Sequence, residues 1–461
     1  MYRTVSPSVD AIARFAEHVE RTTWDALPPA ARTAAKTFIL DTLGVAVAGS
    51  GDAWAPRLAR AARAWGDGDE CTVIGTRERL PAPSAAVVNG YQIHGLEFDC
   101  VHEGAVVHPM ATIFAALAAD IERRPEVDGR TLLTAVVVGV DVAASIGAAA
   151  RGAMRFFRPA NAGAFGAVAA LGKLAGFDAG TLVDAFGIAY GHVSGTLQPH
   201  AEGSMQLGAQ IGFNARGAIT AVDLAAAGFA GPHDVLEGRY GYFRLFEGDD
   251  YDVKAVTAEL GRRWRVTELS HKPFPSGRLT HGVVDALTRL VAQHGLVAGD
   301  IARVVARVPP LVARLVGRPD VPAPGPNYAR LCLPLVAAIA LAHGTVDVPH
   351  FRGDALADPA VHEIARRITM ITDDNPDQNA IVPQVVEVER RDGRRHVLTV
   401  DSMLGHPARP LSHEQHLAKF RRCWGYGAER LAPERGERLI AMVDGLESVT
   451  DVRELFALTI P

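Results

Sequence analysis

The first 260 residues consist of segments rich in Ala, Leu and Val, in which apolar residues recur with helical spacing and the breaks between segments are short. The segment at 29–48 opens on a proline pair and is apolar on more than one side, which predicts a helix buried inside a bundle. Further helices are predicted at 84–94, 110–122, 130–150, 163–175, 179–191 and 205–228. Because short breaks place successive helices side by side, this part of the chain predicts a compact helical bundle.

The pattern changes near residue 265. Residues 300–309 are β-branched and end in prolines, and residues 384–389 and 396–400 are typical of a hairpin joined by Arg391-Asp392-Gly393. Helices are predicted around these strands and towards the C-terminus, at 280–294, 328–343, 358–369, 412–423 and 434–446. We therefore predict a mainly α fold: a large all-α helical domain at 1–267, completed by 409–461, and a smaller inserted α+β domain at 268–408.

Length and charge narrow the classes of protein. With 461 residues the chain is longer than one hydrophobic core normally serves, which supports two domains. Its hydrophobic fraction of 48% and charged fraction of 21% are those of a globular protein. The net charge is −5, and no basic stripe carries interleaved aromatic residues. We therefore predict no nucleic acid partner.

Cysteine usage and apolar runs bear on the cellular location. The four cysteines are scattered without a Cys-x-x-Cys pair, so neither a disulfide framework nor a zinc site is predicted. Residues 1–7 lack the apolar region of a secretion signal, and no uninterrupted run of about eighteen apolar residues occurs. We predict a cytoplasmic protein with no membrane partner.

Acids and imidazoles are densest at residues 92–109, where Glu97, Asp99 and Glu103 alternate with three histidines. Pro109 predicts the first position of a helix, which places His108 at the positive helix end. A helix N-terminus disfavours a protonated imidazole, so His108 is expected to be a neutral hydrogen-bonding group or a base. The stretch is either a solvated connection between two helices or part of an active site.

A second dense segment lies at residues 270–282. Two prolines and a glycine fix an irregular backbone that presents Lys272, Arg278 and His281. The chain has five lysines against forty-two arginines, which makes Lys272 unusual in this sequence. Such a loop can bind a carboxylate, with Arg278 as a bidentate fork and Lys272 as a point charge. Alternatively, it joins two domains, and its basic side chains pair with acids.

A third segment, residues 191–204, contains Gln198, His200 and Glu202 between two predicted helices. Ser204 is a candidate N-cap for the second helix, so the segment is either a capped loop or part of a site. No Gly-rich nucleotide loop and no Gly-x-Ser-x-Gly nucleophile motif occurs. His102 and His108 are six residues apart, which is not a specific ligand spacing, and we predict no metal.

Together these segments resemble the MmgE/PrpD family over nearly the whole chain. The resemblance is most specific at Phe98-Asp99 followed by Val107-His108-Pro109, at Lys272-Pro273-Phe274-Pro275 leading to His281, and at Gly228-Phe229-Ala230-Gly231-Pro232. It implies a helical domain made from both chain ends, an inserted α+β lid domain, a homodimer and a cofactor-free site in the cleft between the domains. It also implies reactions that begin with proton abstraction next to a carboxylate.

The residues that match the family motifs are Asp99, His108, Lys272, Arg278 and His281, and the leading hypothesis adds His200 and Glu103. Asp99 or His108 is expected to abstract the proton, His200 or His281 to deliver one, and Glu103 to orient an imidazole or to act in catalysis. Lys272 and Arg278 are expected to bind carboxylate and to stabilise the developing charge. The predicted catalytic residues are Asp99, His108, His200 and Glu103, and the predicted substrate-binding residues are Lys272, Arg278, His281, Gln198 and Glu202.

The sequence departs from the family pattern at several basic positions. After Gly203-Ser204-Met205, Leu207 stands where the family's dehydratases and decarboxylases carry a lysine, and Gln210 stands where they carry a histidine. A further family histidine is replaced within residues 156–159, and none occurs near Gly277.

Three functions follow from this pattern. The first is a cofactor-independent, dehydratase-like lyase acting on a small di- or tricarboxylic acid by proton abstraction α to a carboxylate. The second is an epimerase or isomerase of a carboxylic or amino-dicarboxylic acid. The third is a non-catalytic accessory protein.

Overall fold

The computed structural model describes residues 10–461, so the N-terminal segment for which no secretion signal is predicted lies outside it. The described chain is mainly helical, with two small sheets. The helices are α1 (Ala11–Arg21), α2 (Pro29–Ser50), α3 (Ala55–Arg63), α4 (Ala82–His94), α5 (Pro109–Ile121), α6 (Gly129–Ala149), α7 (Arg158–Ala175), α8 (Ala179–Tyr190), α9 (Gln198–Glu202), α10 (Gln206–Ala226), α11 (Tyr242–Phe246), α12 (Val253–Thr257), α13 (His281–His294), α14 (Pro310–Val316), α15 (Pro326–Arg330), α16 (Leu333–His343), α17 (Pro359–Ala365), α18 (His413–Trp424), α19 (Pro433–Asp444) and α20 (Arg453–Ala457). The strands are β1 (Cys71–Thr72), β2 (Arg79–Leu80), β3 (Ile301–Val308), β4 (Ile368–Thr372), β5 (Gln384–Arg390) and β6 (Arg395–Val400).

The centre of the bundle is built from helices that are buried along most of their length. Helix α7 packs on α5 and α6, and α10 packs on α4 and α7. Small residues permit this close packing, since a Cβ at Gly90 of α4 would lie 2.6 Å from the Cα of Gly212 in α10. The contact fixes α4, whose last residue is His94, against the rest of the bundle.

The C-terminal helices return to the same bundle, because α18 and α19 both pack against α2. The predicted mainly α fold with a small α+β part is therefore confirmed. The domain boundaries at 267/268 and 408/409 stay a prediction.

The larger sheet has the strand order β4-β3-β5-β6, with β3 and β4 parallel and the other neighbours antiparallel. Strand β5 alternates buried and partly buried residues, as expected for a sheet with one face on a core. Two helix predictions in this region were wrong in extent. The segment at 328–343 is divided into α15 and α16, because Pro334 favours a new helix start. The helix predicted at 358–369 ends at Ala365, and the β-branched residues that follow form β4.

The cysteines and the most apolar helix are both part of the protein interior. Cys71, Cys100, Cys332 and Cys423 are all buried and unpaired. Helix α6 is long and apolar enough to cross a membrane by length and composition, although the sequence contains no uninterrupted apolar run of that length. The protein buries 94% of an apolar 18-residue stretch of α6, so the helix serves as a core element of the bundle.

Candidate active site

The stretch between α4 and α5 forms a tightly held loop. His94 ends α4, and His108 precedes Pro109 as the N-cap of α5. Within the loop, Glu97 and Val106 have φ angles of 53° and 52°, a conformation that non-glycine residues adopt at an energetic cost. Backbone hydrogen bonds of 2.8 and 3.1 Å join Val101 to Ser270 and tie the loop to the second dense segment.

Asp99 is fully buried and binds two imidazoles at once. Its Oδ2 atom lies 3.0 Å from Nδ1 of His94 and 3.1 Å from Nδ1 of His108. The two rings meet edge to face, with centroids 4.9 Å apart. A carboxylate can only accept hydrogen bonds, so both Nδ1 atoms carry protons and donate them to Asp99. The Nε2 atoms of the two rings are therefore left for chemistry.

The rings of His94 and His108 face a common cavity. Nε2 of His94 is buried and has no hydrogen-bond partner among the described residues. Burial alone would lower the pKa of His94, but the charges of Asp99 and Glu97 outweigh it and raise the pKa above its ordinary value. For His108 burial prevails, with Lys272 assisting, and the pKa is lowered. Burial opposes ionisation of Asp99, yet the two imidazoles hold its pKa well below the ordinary value.

Lys272 is completely buried behind this group and is neutralised by Glu97. Its Nζ donates to Glu97 Oε2 at 2.7 Å and to the Glu97 carbonyl at 3.1 Å, and it lies 3.9 Å from Asp99 Oδ1. Burial would raise the pKa of Glu97, but Lys272 and the imidazoles lower it to about 2. The strained backbone at Glu97 thus places a carboxylate on the buried Lys272, which does not itself line the cavity.

Arg278 also reaches the site with an acidic partner. Its Nε and Nη2 atoms lie 2.8 and 2.7 Å from Oε1 of Glu103, and both residues line the cavity. His281 lies behind Arg278, with Nδ1 at 3.3 Å from Nη1 and Nε2 at 3.1 Å from the Ser276 carbonyl. Burial and the Arg278 guanidinium hold the pKa of His281 well below its ordinary value. Both ring nitrogens of His281 are used, which makes it a support for Arg278.

His200, on the short helix α9, also lines the cavity. Nη2 of Arg318 lies 3.3 Å from His200 Nδ1 and donates to the His200 carbonyl at 2.8 Å. An arginine can only donate, so His200 Nδ1 accepts and the ring carries its proton on Nε2. Burial and then the Arg318 charge lower the pKa of His200 to about 4, in agreement with a neutral ring.

Gln198 and Glu202 occupy the same short helix but are exposed and hydrogen-bonded to each other. They do not line the cavity. The prediction that Ser204 is the N-cap of the following helix was wrong, because Met205 is the N-cap of α10 and Ser204 Oγ accepts from Gln206 N at 3.2 Å from one position further upstream. The structure therefore brings five predicted residues together at or directly behind the cavity wall, namely Asp99, Glu103, His108, His200 and Arg278. It places Lys272 and His281 behind them and leaves Gln198 and Glu202 outside.

The cavity has a volume of about 80 Å³ and a mainly apolar wall. Residues from the helical bundle and from the sheet-containing region both contribute to the wall, and its position between two domains stays a prediction. Its apolar residues include Val101, Val106, Met154, Phe157, Leu279, Leu315, Val316, Leu331 and Ile381. Phe157 and Gly277 line it at or next to positions where family histidines are missing.

Two groups of buried side chains bring possible metal ligands within 4.8 Å of one another, His94 with Asp99 and His108, and Asp41 with His271 and His416. In the first group the nitrogen–oxygen separations of 3.0 and 3.1 Å are those of hydrogen bonds, whereas metal–ligand bonds measure about 2.0–2.2 Å. The prediction that no metal is bound stays a prediction.

Three residues of the site were not predicted. His94 ends an apolar helix, where a histidine carries no motif, although it stands in the densest acid and imidazole stretch. Glu97 lies in the same stretch. Its neutralisation of Lys272 becomes visible only in the structure, because the two residues are far apart in the chain. Arg318 follows α14, 118 residues from His200, and no local pattern indicates it.

The sequence matches the family model of the MmgE/PrpD N-terminal domain at residues 13–254 and that of the MmgE/PrpD C-terminal domain at residues 274–448. The chain belongs to the MmgE/PrpD family. Among MmgE/PrpD proteins, cis-aconitate decarboxylase of Homo sapiens is 30% identical over 441 residues, covering 92% of this chain and 89% of the relative. Cis-aconitate decarboxylase of Mus musculus is 27% identical, covering 90% and 86%, and that of Aspergillus terreus is 27% identical, covering 94% and 92%. These relatives support a lyase of the MmgE/PrpD type.

The positions where this MmgE/PrpD chain lacks the family's basic residues have structural uses. Leu207 is buried in the main hydrophobic core. Gln210 accepts from the Thr196 backbone N–H at 2.7 Å and donates to the Thr196 carbonyl at 3.2 Å. Neither residue lines the cavity, and the imidazoles on its wall are those of His94, His108 and His200.

Proposed function

We propose that this protein is a cofactor-independent lyase that moves a proton on the carbon next to a carboxylate of a small carboxylic acid. The observation that carries the proposal is the single buried carboxylate of Asp99, which binds Nδ1 of His94 and of His108. Neither Nε2 atom is hydrogen-bonded to a described residue, and Glu97 Oε1 lies 3.6 Å from Nε2 of His94. Proton transfer by such positioned groups contributes roughly 10²- to 10⁴-fold to a rate. The names and coverage of the relatives support the same reaction class.

His108 and His94 have the opposite protonation states that an elimination requires. The pKa of His108 is lowered, so its Nε2 lone pair is available as the base. The pKa of His94 is raised, so its Nε2–H is available as the acid. Two titratable groups whose environments move their pKa values apart are characteristic of an acid–base pair. Asp99 positions both rings without exchanging a proton itself.

His200 is suited to stabilise negative charge. Because Arg318 fixes the neutral ring with its proton on Nε2, the ring offers a donor to a carboxylate oxygen on which charge develops. A donor that is oriented before the reaction costs no reorganisation during it. We assign to His200 this stabilising role, and we assign proton delivery to His94.

Two lyase reactions use this pair differently. In a dehydration, His108 takes the α-proton, the bond from the β-carbon to its hydroxyl breaks, a double bond forms, and His94 protonates the departing hydroxide to give water. In a decarboxylation, the bond to the leaving carboxylate breaks, its electron pair moves into the carbon skeleton, and His94 protonates carbon. The relatives named cis-aconitate decarboxylase support the second reaction, and the presence of both an acid and a base favours the first.

The test is proton exchange in D₂O. Purified protein is mixed with β-hydroxy and α,β-unsaturated mono-, di- and tricarboxylates, including cis-aconitate. Deuterium at the α-carbon is followed by NMR, together with release of CO₂ and formation of alkenes. We expect exchange for at least one acid and its loss in His108→Gln. A protein that exchanges no α-proton and releases no product from any acid is not a lyase of this class.

The same experiment separates the alternative functions. Deuterium incorporation with inversion of configuration and no elimination product would indicate the epimerase or isomerase. A complete lack of exchange would favour the accessory protein. The homodimer, the cytoplasmic location and the absence of nucleic acid and membrane partners stay predictions.

A further inference from the structure

The helix that carries His94 ends in a turn that a distant arginine holds. Gly95 is the C-cap of α4, and carbonyl groups at the C-terminus of a helix lack partners within the helix. Nη1 of Arg330 donates to the Gly95 carbonyl at 3.0 Å, across 235 residues of chain. A cation is also favoured at this end of a helix by the helix dipole. Arg330 therefore stabilises the end of α4 one residue after His94.

The backbone of Arg330 is bonded to a second part of the cavity wall. Its carbonyl accepts a hydrogen bond from the Gly277 N–H at 3.0 Å. Gly277 lines the cavity, and so does Leu331, the residue that follows Arg330. His94 lines the same cavity from the end of α4. One residue thus joins the wall segment at Gly277 and Leu331, through its backbone, to the helix that carries His94, through its side chain.

The guanidinium of Arg330 is itself closely held. The residue is 1% exposed, and its guanidinium carbon lies 5.5 Å from the centre of the Phe351 ring. Nη2 lies 3.9 Å from Oδ2 of Asp52, and Oδ1 of Asp52 accepts from the Tyr91 hydroxyl at 2.8 Å. Tyr91 is one turn before Gly95 in α4, and its carbonyl accepts from Gly95 N at 2.7 Å. Arg330 is therefore connected to α4 twice, directly at Gly95 and through Asp52 at Tyr91.

The chain turns sharply directly after this helix end. Glu97 has a φ angle of 53°, a conformation that persists only where surrounding contacts hold it. Lys272 donates to the Glu97 carbonyl at 3.1 Å, and Arg330 donates to the Gly95 carbonyl. The strained residue and the helix end before it are thus each bound by a buried cation.

We propose that Arg330 is a positioning residue for His94. It fixes the end of α4 relative to Gly277 and Leu331, so that the imidazole bonded to Asp99 keeps its place in the cavity wall. Arg330 does not line the cavity and acts through α4. A displacement of about 1 Å of a reacting group can cost on the order of 10²-fold in rate. The effect on rate rests on the proposed lyase function, whereas the placement of the ring is observable without a substrate.

The test compares Arg330→Gln and Arg330→Lys with a matched control, Arg352→Gln. Arg352 also lies over an aromatic ring, that of Tyr426, and its hydrogen bonds go to the carbonyl of Ala48 in α2 and to that of Tyr426 after α18. With the acid that is active in the exchange experiment, Arg330→Gln should lower kcat about ten- to a hundredfold and leave KM within about threefold. Arg330→Lys keeps the charge and a donor, so it should retain more of kcat. Arg352→Gln should leave kcat within about threefold of the wild type.

NMR of the histidine rings tests the placement directly. Protein labelled with ¹⁵N in histidine gives the ring nitrogen signals, and His94→Gln identifies those of His94. We expect both Arg330 variants to shift the His94 signals and to leave those of His416 in place, and Arg352→Gln to shift neither. Arg330→Lys, which keeps the buried charge next to Asp52, provides the test if Arg330→Gln does not fold.

The two measurements separate this inference from the lyase function. If the wild type turns over no acid, the lyase function fails, and the His94 signals still decide the positioning role. Unchanged His94 signals in the folded Arg330 variants would overturn the inference. An unchanged kcat in Arg330→Gln, or an equal loss of kcat in Arg352→Gln, would overturn it as well and leave the lyase function standing.

Discussion

Two buried groups of histidine and aspartate lie on either side of the same stretch of chain and behave differently. The Asp99 group consists of His94, Asp99 and His108. The Asp41 group consists of Asp41, His271, His416 and Lys419. They are adjacent, since Lys419 donates to the carbonyl of Phe98, the residue before Asp99, at 2.9 Å.

The partners of the carboxylate distinguish the two groups. Asp41 Oδ1 lies 2.7 Å from Lys419 Nζ, and Oδ2 is buried without a hydrogen-bond partner among the described residues. The two imidazoles of this group contact each other, with His271 Nε2 at 3.2 Å from His416 Nδ1. Burial lowers the pKa of His271 to about 3 and also lowers that of His416. Both rings are therefore neutral, and neither lines the cavity.

The comparison shows that burial of histidine next to aspartate does not by itself indicate catalysis. In the Asp99 group, one carboxylate accepts hydrogen bonds from both Nδ1 atoms, so Asp99 does not use the two Nε2 atoms. Both rings line the cavity. In the Asp41 group, Lys419 forms an ion pair with the carboxylate, and Nε2 of His271 lies next to Nδ1 of His416. The first arrangement can exchange protons with a substrate, and the second stabilises the junction between α2, α18 and the Lys272 loop.

The largest effect is expected from Asp99→Asn. An Asn amide can donate to a ring Nδ1, which would fix that imidazole with its proton on Nε2 and remove the base from the cavity. We expect kcat to fall by roughly 10³- to 10⁴-fold, measured on the best substrate found in the exchange experiment. The melting temperature provides the control for folding. A variant that is folded and keeps more than about a tenth of kcat would show that the Asp99 group does not transfer the proton.

The same substitution in the other group, Asp41→Asn, is expected to act on stability. It leaves the buried ammonium of Lys419 without a counter-charge, which costs about 3–5 kcal/mol of unfolding free energy. Urea unfolding measures this loss, and kcat is measured on the folded fraction at low temperature. We expect kcat to stay within about threefold of the wild type, because no atom of the group meets the cavity. A loss of kcat comparable to that of Asp99→Asn would abolish the distinction between the groups.

A third prediction concerns the pH dependence of kcat/KM. His94 acts protonated, so activity is lost as the pH rises through its pKa, which lies above the ordinary value. His108 acts neutral, so activity is lost as the pH falls through its pKa, which lies below the ordinary value. For a dehydration, the profile of kcat/KM is therefore bell-shaped around a pH of about 6.5. Beyond each of the two pKa values, kcat/KM falls about tenfold per pH unit.

The shape of this profile also distinguishes the two lyase reactions. A decarboxylation needs only the acid, so its profile keeps the alkaline limb and lacks the acid limb that His108 produces. His108→Gln should remove the acid limb from any residual activity, whereas His416→Gln should leave both limbs in place. An unchanged acid limb in His108→Gln would assign that limb to another group.

Local signals in the sequence predicted most of the fold. Helical periodicity and prolines at helix starts are short-range features, and they predicted α2, α4, α5 and α6 to within a few residues. Strand β4 was not predicted, because its five β-branched and apolar residues follow α17 closely and continue the apolar pattern of that helix. Its identity is decided by pairing with β3, more than sixty residues earlier in the chain.

The site was predictable only where its residues are close in the chain. The density of acids and imidazoles at 92–109 indicated Asp99 and His108, which share one hydrogen-bonded contact nine residues apart. The pairing of Lys272 with Glu97 and of Arg278 with Glu103 spans 175 residues in each case. The sequence left two interpretations of the basic loop open, carboxylate binding and pairing with acids, because the acids with which Lys272 and Arg278 pair lie far away in the chain.

The smallest effect is expected at Glu202, and it sharpens the comparison within a single helix. Helix α9 directs His200 to the cavity and leaves Glu202 exposed and bonded to Gln198. Glu202→Gln keeps the shape of an exposed side chain, so kcat/KM should stay within about twofold of the wild type. His200→Gln removes the ring donor from the same helix and should lower kcat/KM by about ten- to a hundredfold. If Glu202→Gln were as harmful as His200→Gln, the orientation of α9 during the reaction would differ from the one described, and Glu202 would regain its predicted role in substrate binding.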